Sequence, residues 1–188
     1  MKVTLNTEPL DLLKSDLVRT PGLHMSDLYG ALYRELDPKR YGGEFSNDLC
    51  LAMGTAWEKH LEWLLISNGL TVSRPEAFLT NEGIGFSPDL LILNGVTRVG
   101  EIKLTWMTDI EDIADQKFDK YLTQVKAYCY HLDTPYGRIY ATHINGAEKD
   151  FYGKPNPVLK IYDLEFTSRE LKENWQMLLN YAKRKGML

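Results

Sequence analysis

Apolar positions along the chain recur at two spacings, and those spacings predict the elements. Leu28, Leu32 and Leu36 repeat every four residues behind Ser26, a residue type that caps helices, and Asp37-Pro38 ends that short helix. A second helix is predicted from Ser46 or Asn47, with a break at Gly54, to Asn68-Gly69. On it Trp57, Leu61, Leu64 and Leu65 share one apolar stripe, and Gly69 sits where a left-handed C-cap belongs. The pattern then changes to short β-rich runs. Leu70 to Phe78 contains Pro75 and so predicts an edge strand. Phe86 to Leu93 and Val96 to Thr105 flank Asn94-Gly95, a strong hairpin signal. Helical spacing returns over Asp115 to His131, and two more strands follow at Arg138 to Ile144 and Val158 to Phe166. Thr167 and Glu170, spaced as a capping box, open a last helix that runs to Lys185 and ends at Gly186. From the second helix onward the order is helix, three strands, helix, two strands, helix. It predicts an α/β fold with a mixed central β-sheet flanked by α-helices.

Composition narrows the class without changing that picture. The chain has 188 residues, 44% hydrophobic and 26% charged, with 22 basic against 26 acidic side chains. A chain this long buries about 70% of its unfolded surface and folds without disulfide or structural metal. With no repeat or low-complexity stretch, one domain is expected over residues 1–188. Met1 to Leu10 lacks the apolar segment and cleavage pattern of a secretion signal, and no run approaches the roughly 18 apolar residues of a membrane span. Cys50 and Cys129 are the only cysteines, too few for a disulfide scaffold, so a cytoplasmic protein with no membrane contact is expected. The slight net negative charge argues against coating nucleic acid by bulk charge, so such contact must come from a local groove.

The candidate chemistry gathers on the central hairpin, where Gly85-x-x-Pro88-Asp89 precedes Gly100-Glu101-Ile102-Lys103. Alternate strand residues share a face, so Glu101 and Lys103 point one way and Ile102 the other. Asp89 placed beside Glu101 makes two carboxylates neighbours. They repel unless a cation lies between them, and oxygen ligands suit Mg²⁺ or Mn²⁺. A two-residue turn at Asn94-Gly95 would set Asp89 opposite Gly100, whereas a longer turn or one β-bulge sets it opposite Glu101. One of those two is therefore predicted, with a bend at Pro88. Glu58, on the margin of the second helix's apolar stripe, can reach toward the same cation as a third carboxylate. On the later helix Lys117, Tyr121, Gln124 and Tyr128 recur at steps of three or four, with Lys120 beside them. Such a stripe suits a phosphodiester backbone, through amide and ammonium bonds to phosphate and rings that stack on bases. Glu-x-Lys alone, or a surface helix glutamate alone, is more often a solvated face. The combination carries the weight.

Gly54-x-x-x-Glu58, Gly85-x-x-Pro88-Asp89, Gly100-Glu101-x-Lys103 and Gln124-x-x-x-Tyr128 together resemble the PD-(D/E)XK nuclease superfamily, and within it the RecB-type and phage exonuclease branch. The likeness covers residues 54 to 128. It implies a restriction-endonuclease-like core and a Mg²⁺- or Mn²⁺-dependent deoxyribonuclease holding one or two ions. Asp89 and Glu101 would be the principal metal ligands, the Ile102 carbonyl would complete the set, and Glu58 would ligate directly or through water. Lys103 would be the catalytic lysine, and Gln124 and Tyr128 would position the nucleic-acid backbone or that lysine. The implied partners are single- or double-stranded DNA ends, and further a second copy of the chain or a recombination partner protein. The implied setting is repair, replication or recombination in a bacterial or phage-infected cell. Iron–sulfur members need four cysteines, so no cluster is expected here. The rival readings are an endonuclease with the same site and a relative that binds nucleic acid without cutting it. The four histidines form no HxH or HxxxH pair and no phosphate-binding Gly-rich loop is present, so zinc hydrolysis and ATP hydrolysis are not expected.

Overall fold

The computed structural model describes residues 21–41, 48–108 and 118–188. Helix α1 (Met25–Leu36) leads into a single turn, α2 (Pro38–Tyr41), and then α3 (Asp48–Ser67). Four short strands follow: β1 (Val72–Ser73), β2 (Phe78–Leu79), β3 (Gly85–Phe86) and β4 (Leu90–Ile92). The long strand β5 (Arg98–Thr108), helix α4 (Asp119–His131), strands β6 (Tyr136–Asn145) and β7 (Val158–Glu165), and helix α5 (Ser168–Arg184) complete the order. Five strands form one mixed sheet in the order β1-β4-β5-β6-β7, while β2 and β3 make a separate ribbon. β5 and β6 run parallel, joined by the α4 crossover; every other pairing is antiparallel.

The two faces of this sheet have different covers. Leu61 of α3 packs with Leu90, Ile92, Ile102 and Tyr140 on one face, supported by Trp57, Leu64 and Leu65, which is the apolar stripe expected of that helix. The opposite face buries Val99, Ile139 and Ala141 under α1, α4 and α5. α3 runs unbroken through Gly54 and stops where predicted. Gly69 has φ +83°, and Leu70 N–H donates to the Leu65 carbonyl at 3.0 Å. The capping box of α5 also forms, with Glu170 N–H donating to Thr167 Oγ1 at 3.2 Å and Thr167 N–H to Glu170 Oε2 at 2.8 Å.

Several expectations need correction. α1 begins one residue before Ser26, and His24 is its N-cap, with its N–H bonded to the Asp27 carboxylate at 3.1 Å. Leu36 is 65% exposed rather than core, because α1 reaches its last turn at the edge of the packed layer. The run Leu70 to Phe78 is not one strand: Pro75 splits it into β1, at the sheet edge, and the start of the β2–β3 ribbon. Phe86 to Leu93 is likewise divided at Ser87-Pro88-Asp89, because Pro88 has no N–H for a ladder bond. The start of the helix expected at Asp115 lies outside the described residues, as does Lys117.

Where the hairpin matters most, it takes the longer turn. Leu90 faces Gly100, Leu91 faces Val99 and Ile92 faces Arg98, so Leu93 to Thr97 form the connection and the next step sets Asp89 opposite Glu101. Gly95 has φ +78° in that turn. Gly100 is required for the close approach: a Cβ there would lie 2.1 Å from Leu90 Cδ1 and 2.9 Å from its Cγ. Gly100→Ala is therefore expected to overpack the β4–β5 seam and cost about 1–3 kcal/mol. Urea denaturation measures it, and a loss below about 0.5 kcal/mol would contradict the tight fit.

Candidate active site

The site assembles where β4 stops short beside β5. Glu101 is fully buried on the face covered by α1 and α4, and its Oε1 is in close contact with the Lys103 ammonium two residues along the same face. From the end of β4, Asp89 Oδ2 accepts the Ile102 N–H at 2.7 Å. In a strand the N–H and carbonyl of one residue lie on the same edge, so the Ile102 carbonyl also faces the side that Asp89 occupies. The hairpin thus brings Asp89, Glu101, Lys103 and the Ile102 backbone into one cluster, and Pro88 starts the bend that frees Asp89 from the ladder.

Electrostatics follow from this burial. Removal from water, then repulsion by Asp89 and Glu58, pushes the Glu101 carboxyl up to about 8, against the opposing pull of Lys103. Burial disfavours the Lys103 cation, yet the charges of Glu101 and Asp89 outweigh it and hold the ammonium well above its ordinary range. Glu101 Oε2 is buried with no hydrogen-bond partner. A carboxylate oxygen kept dry and unpaired is costly, and it is the kind of atom a bound cation would satisfy.

Glu58 approaches from α3 and is held by a competitor. Arg74, just past β1, reaches Glu58 Oε2 at 3.4 Å and Glu62 Oε2 at 3.2 Å. Burial first, and then Asp89, raises the Glu58 carboxyl, while Arg74 and Lys103 oppose the rise. Among the described residues no three His, Cys, Asp or Glu side chains are grouped closely enough to hold a metal ion. The donor set on offer is two carboxylates and a backbone carbonyl, all hard oxygens, which fits Mg²⁺ or Mn²⁺ better than softer metals.

Helix α4 supplies the roof. Gln124 and Tyr128 are buried, and Gln124 Nε2 donates to Tyr128 Oη at 3.0 Å, leaving Gln124 Oε1 buried without a partner. They are lodged among the side chains over β5 and do not lie on an open helix face. The Lys103 ammonium lies 5.3 Å from the centre of the Tyr121 ring. Lys120 sits between the Tyr29 and Tyr41 rings, at 5.5 and 5.7 Å, and burial followed by repulsion from Lys103 and Arg34 lowers its pKa. Tyr29 of α1 was not foreseen. It is buried within electrostatic reach of Lys103, Glu101 and Asp89, and burial raises its hydroxyl well above the usual range. Arg74 was missed too. Only the tertiary packing of α1 and of the β1 edge brings these two residues in.

No protein-family model and no curated protein matches this sequence. Its fold does match solved structures. A phage-related exonuclease from Haemophilus somnus 129PT superposes with a TM-score of 0.56 at 13% identity, over 91% of this chain and 95% of the other. An alkaline exonuclease from Laribacter hongkongensis gives 0.51 at 18% identity, over 90% and 83%. The protein SSO0001 gives 0.54 at 13% identity, over 90% and 82%. The chain thus has the mixed-sheet α/β fold of these structures, the two exonucleases among them.

Glu101 makes a pH prediction for the metal-free protein. Its carboxyl ionises near 4.5 when unfolded and near 8 when folded, so between those values the native state holds the extra proton. Stability should then be greatest at and below the lower value and fall as pH rises through the upper one. In Glu101→Gln that slope should flatten, so the difference in Tm should shift in the variant's favour between about pH 5 and about pH 8.5. Parallel Tm curves for the two proteins would contradict the raised pKa.

Proposed function

We propose that this chain is a metal-dependent nuclease that hydrolyses DNA phosphodiester bonds, acting on ends as an exonuclease in a bacterial or phage-infected cell. One observation carries the reading: on a fold shared with exonucleases, the dry and unpaired oxygen of Glu101 lies beside Lys103 and opposite Asp89. Asp89, Glu101 and the Ile102 carbonyl would hold Mg²⁺ or Mn²⁺, with Glu58 joining if it leaves Arg74. What the ion supplies when bound is Lewis acidity, which neutralises phosphate charge and acidifies water.

The side chains do the rest. Lys103, fixed by Glu101 and lying near the Tyr121 ring, sets a permanent positive charge where the scissile phosphate must come. Glu101 holds that charge in place and Asp89 adds an electrostatic pull, so little reorganisation is needed as the phosphate oxygens gain negative charge. Gln124 and Tyr128 brace the same face from α4, and Tyr29 closes it from α1 against bulk water. Lys120 offers a second cation for a neighbouring phosphate, and Lys117, outside the described residues, is a further candidate.

Labelled linear DNA in Mg²⁺ or Mn²⁺ should be degraded by the wild type. Asp89→Asn, Glu101→Gln and Lys103→Ala should each lose about 10²- to 10⁴-fold in rate. Hydrolysis that continues in EDTA, or at the wild-type rate in these variants, would overturn the mechanism. Closed circular DNA separates the two cutting modes, since only an endonuclease degrades it. Independently of activity, Mn²⁺ at about a hundredfold excess over its Kd should raise the wild-type Tm by roughly 5–10 °C. The Asp89→Asn Tm should stay nearly constant.

A further inference from the structure

Beyond the candidate site, the most exposed aromatic surface on the described chain lies at one end of the sheet. Phe151 is 96% exposed and Tyr152 82% exposed, on the arm that joins β6 to β7. The arm is well built. Asn156 N–H donates to the Glu148 carbonyl at 3.0 Å, Lys149 bridges to Pro155, and Asp150 N–H donates to the Lys154 carbonyl at 2.8 Å. At the tip, Asp150 Oδ1 accepts the N–H groups of Tyr152 at 2.9 Å and Lys154 at 2.7 Å, and Gly153 takes φ +75°. At the root, Gly146 lets the arms close, since a Cβ there would lie 1.8 Å from the Asn156 carbonyl oxygen. A chain that fastens its backbone this fully while holding two adjacent large rings in water bears a cost of hydrating apolar surface that a ligand covering them would relieve.

The arm's position says what that ligand is. β5 and β6 run parallel, with Lys103 paired to Ala141, so the arm leaves β6 at the end toward which the catalytic strand runs. Between them stands Trp106, 56% exposed, where the β5–β6 register slips by one residue between Thr105 and Thr108. A bulge of this kind re-aims side chains. The Trp106 carbonyl accepts Asn145 Nδ2 at 3.0 Å, tying this point to the base of the arm. Aromatic rings thus follow Lys103 in two stations, Trp106 and then Phe151 with Tyr152. The arm's charges are mixed. Lys149 and Lys154 can meet phosphates, Glu148 opposes them, and the Asp150 carboxylate is occupied by backbone N–H groups.

We propose that Trp106, Phe151 and Tyr152 form a stacking track for unpaired bases of a single-stranded nucleic acid whose backbone enters the Glu101–Lys103 site. The inference rests on the nuclease reading and names the form of its substrate. Bases in a duplex have their faces covered by neighbours; unpaired bases offer them to exposed rings, whatever their sequence. Phe151 lies ten positions after Ala141, which bounds the reach at about 33 Å. A stacked strand at about 3.4 Å per nucleotide crosses that distance in about ten nucleotides.

Length is therefore the discriminating variable. In EDTA, with binding read by fluorescence anisotropy, Phe151→Ala/Tyr152→Ala should weaken oligo(dT) of about 16 nucleotides at least about tenfold and leave about four nucleotides unchanged. Trp106→Ala should weaken both lengths. Both tip side chains are in solvent, so the tip variant should keep the wild-type Tm. Equal binding of the long oligonucleotide by wild type and tip variant overturns the track, as does a wild type that binds duplex but no single strand. Loss of self-association in the tip variant on sedimentation would assign the rings to a second copy and also overturn it. Should the wild type bind long strands through the tip yet hydrolyse none in Mg²⁺ or Mn²⁺, the track stands and the nuclease reading fails.

Discussion

A carboxylate with no access to water is the constraint around which this protein is arranged. Glu101 is sealed between the sheet and two helices, and among the described residues Lys103 is its one hydrogen-bonded counter-charge. An ion pair in such a place is weak evidence for stability, since hydrophobic residues of like volume commonly do as well. The second oxygen of Glu101 sharpens the point, because a purely structural pair would be expected to satisfy both.

Much of the surrounding architecture can be understood as support for that pair. Pro88 ends the ladder, so Asp89 turns its carboxylate to the Ile102 N–H and comes to rest opposite Glu101. Gly100 allows Leu90 to press against the strand immediately before Glu101. On the far face, α3 packs Leu61 beneath Ile102 and carries Glu58 toward the same edge, where Arg74 engages it. Substitutions distant from the carboxylates can thus act by moving a backbone, without touching any charge.

The fold was legible wherever a local signal was strong. The stripe on α3, the Thr167–Glu170 cap, the closing glycines and the requirement for a longer hairpin turn all follow from spacing and turn chemistry. The split at Pro75 was not legible and at Pro88 only the bend was, because β-rich composition runs through both prolines while the ladder does not. Asp89, Glu101 and Lys103 could be foreseen as neighbours since one hairpin carries all three. Tyr29 and Arg74 could not: each arrives by packing of a distant element, and neither lies in a pattern that marks it. On α4 the spacing of Gln124 and Tyr128 marked one stripe of the helix but not its burial: the helix turns both inward over β5.

The eleven residues between Asp89 and Glu101 close as a short local hairpin, whereas the burial of Glu101 depends on α4 and β6, which come later in the chain. Local contacts form faster than the long crossover that parallel pairing demands. During folding the two carboxylates therefore come together before Glu101 is buried. Burial, the main cause of the raised Glu101 pKa, comes only once the crossover docks, so a partly folded chain carries these residues without the environment that perturbs Glu101.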